Sequence, residues 1–213
     1  MGTTERRERE RQELRTQILD AARELFAEEG YEAVTMRKIA ERIEYSPTAI
    51  YFHFKDKLAL LRELCDTDFA ALAHDFQKIA RIADPIERLR RIGRAYAEFG
   101  ATHPNHYRLM FMTPHPAELR PEDSRLRRGN PEEDAYAFLR ATIQDAIGAG
   151  LLQKKFHDAD LVSQMVWAAV HGVISLRIAK CKDDWVPWRD EKETAHALIE
   201  IMIRGLVAAD SEK

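Results

Sequence analysis

Three helix-start signals crowd into the stretch from Thr35 to Lys57, TMRKIAERIEYSPTAIYFHFKDK, and leave it little choice of local structure. Thr35 sits where an N-cap belongs, and Ser46-Pro47 is a cap with proline at the first helical position. Asp56 caps whatever follows. Ile39, Ala40 and Ile43 supply the buried side of one short helix. Ile50 and Phe54, four apart, anchor the next. The stretch therefore reads as two short helices joined by a tight corner. Thr48, Ala49, Tyr51, Phe52 and His53 are then available to a partner.

Upstream, Leu14, Ile18, Ala21, Ala22, Leu25 and Phe26 fall at helical spacing on one face, and Gly30 ends that helix. Before it, residues 1–11 form a charged arm. Through Arg15 there are five arginines (6, 7, 9, 11, 15) against four glutamates (5, 8, 10, 13), a net of +1. Two readings stay open for the arm. It is a solvated or frayed helical end, or its arginines reach phosphate or a minor groove.

Downstream, Asp56 opens a helix to about Ala80, and Asp84-Pro85 starts another that reaches Thr102. Pro104 breaks that one before a short aromatic helix with Tyr107, Met110 and Phe111. Residues 113–130, with three prolines and an arginine cluster, read as a long loop. Pro131 at a first-turn position opens a helix ending at Gly148 or Gly150, and two more cover about 158–180 and 190–208. Periodic strand signals are absent. The expected fold is all-α with about nine helices.

The last two helices are apolar on more than one stripe, so each must bury more than one face. One face packs on the body. The other is expected to meet its own copy in a four-helix interface using Val166, Val173, Leu198, Ile201 and Met202.

Net charge is −3 over 213 residues, so no global basic signature points to nucleic acid. The local balance differs. Segment 35–57 carries Arg37, Lys38, Arg42, Lys55 and Lys57 against Glu41, Glu44 and Asp56, a net of +2. Cys65 and Cys181 make no metal-type spacing and read as a reduced pair. His103 and His106 flank Pro104 and lack a third ligand, so no metal or cofactor is expected. The N-terminus lacks an apolar secretory segment, and no apolar run approaches the roughly 20 residues of a membrane span. A cytoplasmic chain with no membrane partner is the expectation.

Gly30-Tyr31, Thr35-Met36-Arg37-Lys38-Ile39-Ala40 and Tyr45-Ser46-Pro47-Thr48-Ala49-Ile50-Tyr51-Phe52-His53-Phe54-Lys55-Asp56-Lys57-Leu58 together resemble the DNA-binding domain of the tetracycline-repressor (TetR) family. The resemblance covers residues 12–72, with a helix-turn-helix motif at 35–54. It leaves 73–213 as an effector-binding and dimerisation domain. Trp167-Ala168-Ala169-Val170-His171-Gly172 resembles the Trp-His-Gly signature of one ligand-domain subgroup. The family implies a homodimeric transcriptional regulator, usually a repressor, that binds double-stranded operator DNA and is released by a small molecule.

Mapped onto this chain, the expected DNA contacts are Thr35, Arg37, Ser46, Pro47, Thr48, Ala49, Tyr51, His53 and Lys57. Tyr51, His53 and Lys57 resemble phosphate-contacting positions, while Thr48 and Ala49 suit base edges. A largely apolar effector is expected against Phe99, His103, Tyr107, Phe111, Trp167 and His171. One departure stands out: Ile43-Glu44-Tyr45 occupies the corner where the family favours Ala-Gly-Val, and glycine tolerates positive φ there. The alternative reading is a helical ligand-binding or interaction protein with a vestigial DNA domain. An enzyme reading finds no nucleophile–base pair, phosphate loop or metal spacing to support it.

Overall fold

Capping chemistry sets the element order in the computed structural model, which describes residues 3–208. The first two arm residues and residues 209–213 of the expected second domain lie outside the described residues. The α-helices are α1 (Thr3–Glu29), α2 (Met36–Arg42), α3 (Pro47–Tyr51), α4 (Lys57–Gln77), α5 (Pro85–Thr102), α6 (Pro104–Phe111), α7 (Ala135–Gly148), α8 (Ala159–Lys180) and α9 (Glu191–Leu206). A 3-10 turn spans Pro121–Asp123. Among the described residues the fold is all-α with nine helices, as expected.

The caps are those read from the sequence. The Thr35 hydroxyl accepts from Lys38 N, Ser46 Oγ from Ala49 N, and Asp56 from Ala59 N. Two boundaries differ from expectation. Helix α1 begins at Thr3, not near Leu14, because the arm's alternating charges pair along one helix surface: Arg6–Glu10 and Arg9–Glu13 at i,i+4, Arg11–Glu8 at i,i+3. Helix α7 starts after Pro131, because the Asp134 carboxylate accepts from Tyr136 N and Ala137 N and fixes the first turn there.

The corner between α2 and α3 closes as a Schellman motif. Tyr45 N donates to Ala40 O at 2.9 Å and Glu44 N to Glu41 O at 3.2 Å. That geometry puts Glu44 at φ 59°, the left-handed region where a Cβ costs about 1–2 kcal/mol. Glu44 is the one non-glycine residue at positive φ among those described. Glu44→Gly is expected to stabilise the protein by about 0.5–1 kcal/mol, the relieved strain less the entropy glycine adds to the unfolded chain. A urea midpoint that falls in the variant would contradict this account of the corner.

Two units make up the chain. The first holds residues up to Asp68 together with Asn105–Arg125; the second holds Phe69–Pro104 and the chain from Leu126 onward. In the first unit Ile18, Ala22, Phe26, Ile39, Ile50, Leu61, Leu64 and Tyr107 are fully buried. Polar clamps tie its non-contiguous pieces together. Asp68, 1% exposed, receives Arg23 Nε and Nη2 at 3.1 and 3.0 Å and lies 3.0 Å from His106 Nδ1. Asp66, also buried, accepts from Ser124 Oγ and Arg125 N. Arg62 pairs with Asp123 at 2.9 Å. Cys65 immediately precedes Asp66 in sequence, and burial pushes its thiol up to about 12.

In the second unit α5, α7, α8 and α9 pack on one another around Leu89, Ile92, Ile143, Val170, Ile174, Ile199 and Ile203. Helices α5 and α9 approach closely where Gly93 meets Ile199, whose side chain lies 3.0 Å from where a Cβ would sit. Gln153 N to Leu206 O and Ala208 N to Leu151 O, each 2.9 Å, join the ends of α7 and α9. Helix α8 corrects one reading. Its 22 residues are long and apolar enough, by length and composition, to cross a membrane. His171, Ser163 and Gln164 interrupt the apolar run but do not offset its average. One stripe of it, Val162, Val166, Val170 and Ile174, is buried where α8 packs on α5, α7 and α9.

Candidate nucleic-acid interface and effector site

Ile50 and Phe54 point into the first unit's core and leave the rest of α3 outward. Thr48, Tyr51, Ser46 and Pro47 are exposed and Ala49 is half-buried. The Ser46 and Thr35 side chains are engaged as caps, so their role at this surface is to fix where α3 and α2 begin. Arg37 lies on the exposed side of α2 with Nε 2.8 Å from Glu41. An exposed i,i+4 pair of this type is worth only about 0.3–0.5 kcal/mol, so the guanidinium is easily diverted to a stronger anion.

His53 is half-buried at the end of α3. Burial, then the charges of Arg11 and Arg15, lower its pKa, so the neutral imidazole prevails at neutral pH. It can offer an N–H to an anion but not a full charge. Lys57 has an inward task. Its ammonium donates to Tyr31 O at 2.7 Å and Val34 O at 2.9 Å and sits 4.1 Å from the Tyr31 ring centroid. Lys57 therefore latches the α1–α2 loop onto the start of α4. The family resemblance assigns Lys57 to phosphate; its acceptors within the chain are loop carbonyls, which the sequence does not reveal. Phe52, which is not among the expected DNA contacts, is 83% exposed beside Tyr51.

The expected effector residues divide between the units. Tyr107, fully buried, and Phe111 belong to the first, their ring centroids 5.0 Å apart. Phe99, His103, Trp167 and His171 belong to the second. There Tyr96 forms the hub. Its hydroxyl accepts from Trp167 Nε1 at 2.9 Å and lies 3.4 Å from His171 Nδ1. The Tyr136 ring lies tilted against Trp167, centroids 5.9 Å apart, and the Phe99 ring centroid is 5.4 Å from that of His103. Burial lowers the His171 pKa, so its imidazole is neutral at neutral pH. The result is an apolar, aromatic neighbourhood with a phenol, an indole and an imidazole converging.

The expected dimer residues also sort themselves. Val166, 6% exposed, is consumed by its own unit's core. Val173, Leu198 and Met202 are half-buried, and Ile201 is 68% exposed. Leu161, Met165 and Leu176 are exposed on α8. With Ala168 and Gly172 they form a stripe of period 3.6 opposite the buried one. Phasing the helix on the four-residue valine spacing would have found it. Among the described residues no group of three or more His, Cys, Asp or Glu is placed to hold a metal ion.

Comparison with known proteins matches this arrangement at both ends. Residues 18–64 fit the family of bacterial regulatory proteins called tetR, and residues 89–203 fit the tetracyclin repressor-like C-terminal domain. The regulator UidR of Escherichia coli K12 is 37% identical over 78 residues, 37% of each chain, so the match spans little more than a third of that relative. The regulator AcrR of Shigella flexneri is 30% identical over 172 residues, 78% of this chain and 77% of that one. Among solved structures, FadR of Bacillus subtilis, crystallised with stearoyl-CoA, superposes with a TM-score of 0.72 over 89% of this chain and 98% of FadR at 20% identity, which speaks for the fold. The chain belongs to the TetR family of transcriptional regulators.

Proposed function

We propose that the protein is a ligand-responsive repressor that binds operator DNA as a homodimer and is released by a small, largely apolar effector. The observation that carries this is the outward face of α3. It is held by Ile50 and Phe54, fixed in register by the Ser46 cap, and exposes Thr48, Tyr51 and Phe52. A helix so presented suits a major groove. Residues 12–72 are assigned to DNA binding, residues 73–213 to effector binding and dimerisation, and the cytoplasm is the place of action.

In this reading Tyr51, Arg37 and His53 hold phosphate, and Thr48 and Ala49 meet base edges. Lys57 supports them by fixing the loop behind. Tyr51→Phe is expected to weaken binding by about fivefold on every duplex tested, as one neutral hydrogen bond of about 1 kcal/mol to phosphate would, because such contacts carry no sequence information. Filter-binding titrations on specific and unrelated DNA check this; a loss confined to one sequence would remove Tyr51 from the phosphate set.

The effector site is assigned to the Tyr96, Trp167 and His171 cluster, with Phe99 and His103 beside it. Membership of the second domain in the Trp-His-Gly subgroup is part of this proposal, supported by Trp167, His171 and Gly172 in the sequence. FadR carries stearoyl-CoA, and an apolar effector with one polar group also suits the aromatic surroundings here. Helix α4 contributes residues to both units and is the natural carrier of the response. Coupling of about 1–3 kcal/mol changes affinity by about 5–150-fold. Selection of genomic fragments by the purified protein tests the whole reading. Recovery of no preferred fragment would favour a helical binding protein with a vestigial DNA domain.

A further inference from the structure

The outer face of α3 is poor in groups that read bases by hydrogen bonding. It carries no Arg, Asn or Gln, and its exposed hydroxyls are those of Thr48 and of Tyr51, the latter assigned above to phosphate. What it has instead is apolar surface. Phe52 N donates to Thr48 O at 3.2 Å, so the two residues sit one turn apart on the same face. Four residues of helix rise by about 6 Å, close to two base-pair steps of about 3.4 Å. Phe52 is 83% exposed, and Tyr45 adds further exposed aromatic surface just before the helix.

Within the major groove the C5-methyl of thymine is the apolar group that a base edge offers. The surroundings favour a polyanion over an apolar protein partner. Segment 35–57 carries a net charge of +2, and Lys55 and Arg37 are exposed in it. We infer that Phe52 is a sequence-reading residue which, with the methyl of Thr48, recognises thymine methyl groups about two base pairs apart in the operator. This inference rests on the DNA-binding reading above. Recognition then depends on methyl burial where most major-groove readers depend on bidentate hydrogen bonds, and the operator half-site carries thymine at both positions.

A random duplex pool enriched on the purified full-length protein supplies the probe. The recovered duplex is then synthesised with uracil in place of individual thymines, which removes only the methyl. The wild-type protein is expected to lose about fourfold in affinity per methyl removed at the two read positions. Phe52→Ala is expected to bind the thymine and uracil duplexes alike at its position and to keep the wild-type salt dependence, since no phosphate contact is lost. Phe52→Leu is expected to retain part of the thymine preference. Because Phe52 is so exposed, these variants leave the core intact, which circular dichroism verifies. Equal affinity of the wild-type protein for thymine and uracil duplexes overturns the inference alone and leaves the patch to some other partner. A discrimination that persists undiminished in Phe52→Ala also overturns it. A pool that yields no enriched sequence overturns the DNA-binding reading and this inference with it.

Discussion

Asp68→Ala is expected to lower the unfolding free energy by about 3–5 kcal/mol, a large share of what a domain of this size possesses. The carboxylate is buried and meets Arg23 through two nitrogens and His106 through one. Its removal strands a buried guanidinium with Asp20 alone, 2.8 Å away. The cost comes from the orphaned charge, not from the worth of the pair. The double variant Arg23→Met, Asp68→Leu is accordingly expected to recover most of the loss, since apolar replacement of a whole buried pair is often neutral. Denaturant titrations of the single and double variants decide the matter. A single variant that unfolds within 1 kcal/mol of the wild type would show that the clamp holds nothing.

Ile201→Glu is expected to convert a dimer into a monomer at micromolar concentrations. Ile201 lies mostly outside its own unit's core, so the substitution leaves the unit's packing alone while placing a carboxylate where a second copy would bury it. An unpaired buried charge costs several kcal/mol, and twofold symmetry brings in two of them. Operator affinity is expected to fall with the dimer, because paired half-sites about 34–36 Å apart need two reading helices held together. Light scattering reads the outcome directly. A monomeric wild type, or a variant that remains dimeric, would remove this face from the assembly.

Much of the fold was legible because helix starts are local chemistry. Thr35, Ser46-Pro47, Asp56, Asp84, Asp158 and Asp190 each mark a helix start by a side chain reaching an amide two or three residues on. Glu44 was legible too, as a residue that has to accept positive φ. What the sequence hid were partners far along the chain. Lys57 reads as a surface cation until Tyr31 and Val34 turn their carbonyls toward it. Asp66 and Asp68 look like ordinary helix-surface acids until residues 105–125 fold onto them. Tyr96 reads in the sequence as either effector-site aromatic or plain core, and its contacts with Trp167 and His171, from a helix more than seventy residues later, are not visible there. For Val166, α8 reads as apolar all round, and the one hint of which stripe faces inward is the four-residue spacing of Val162, Val166 and Val170.

The way residues 105–125 join the first unit has a consequence for modularity. The backbone passes between the units three times, after Asp68, after Pro104 and after Arg125. A hybrid regulator made by grafting only the first 72 residues onto a foreign effector domain would carry Asp66 and Asp68 without Ser124, Arg125 and His106. The exchangeable part is therefore not a contiguous stretch of chain. A working transplant has to bring the 105–125 segment along, or recreate its basic and hydroxyl groups in the recipient.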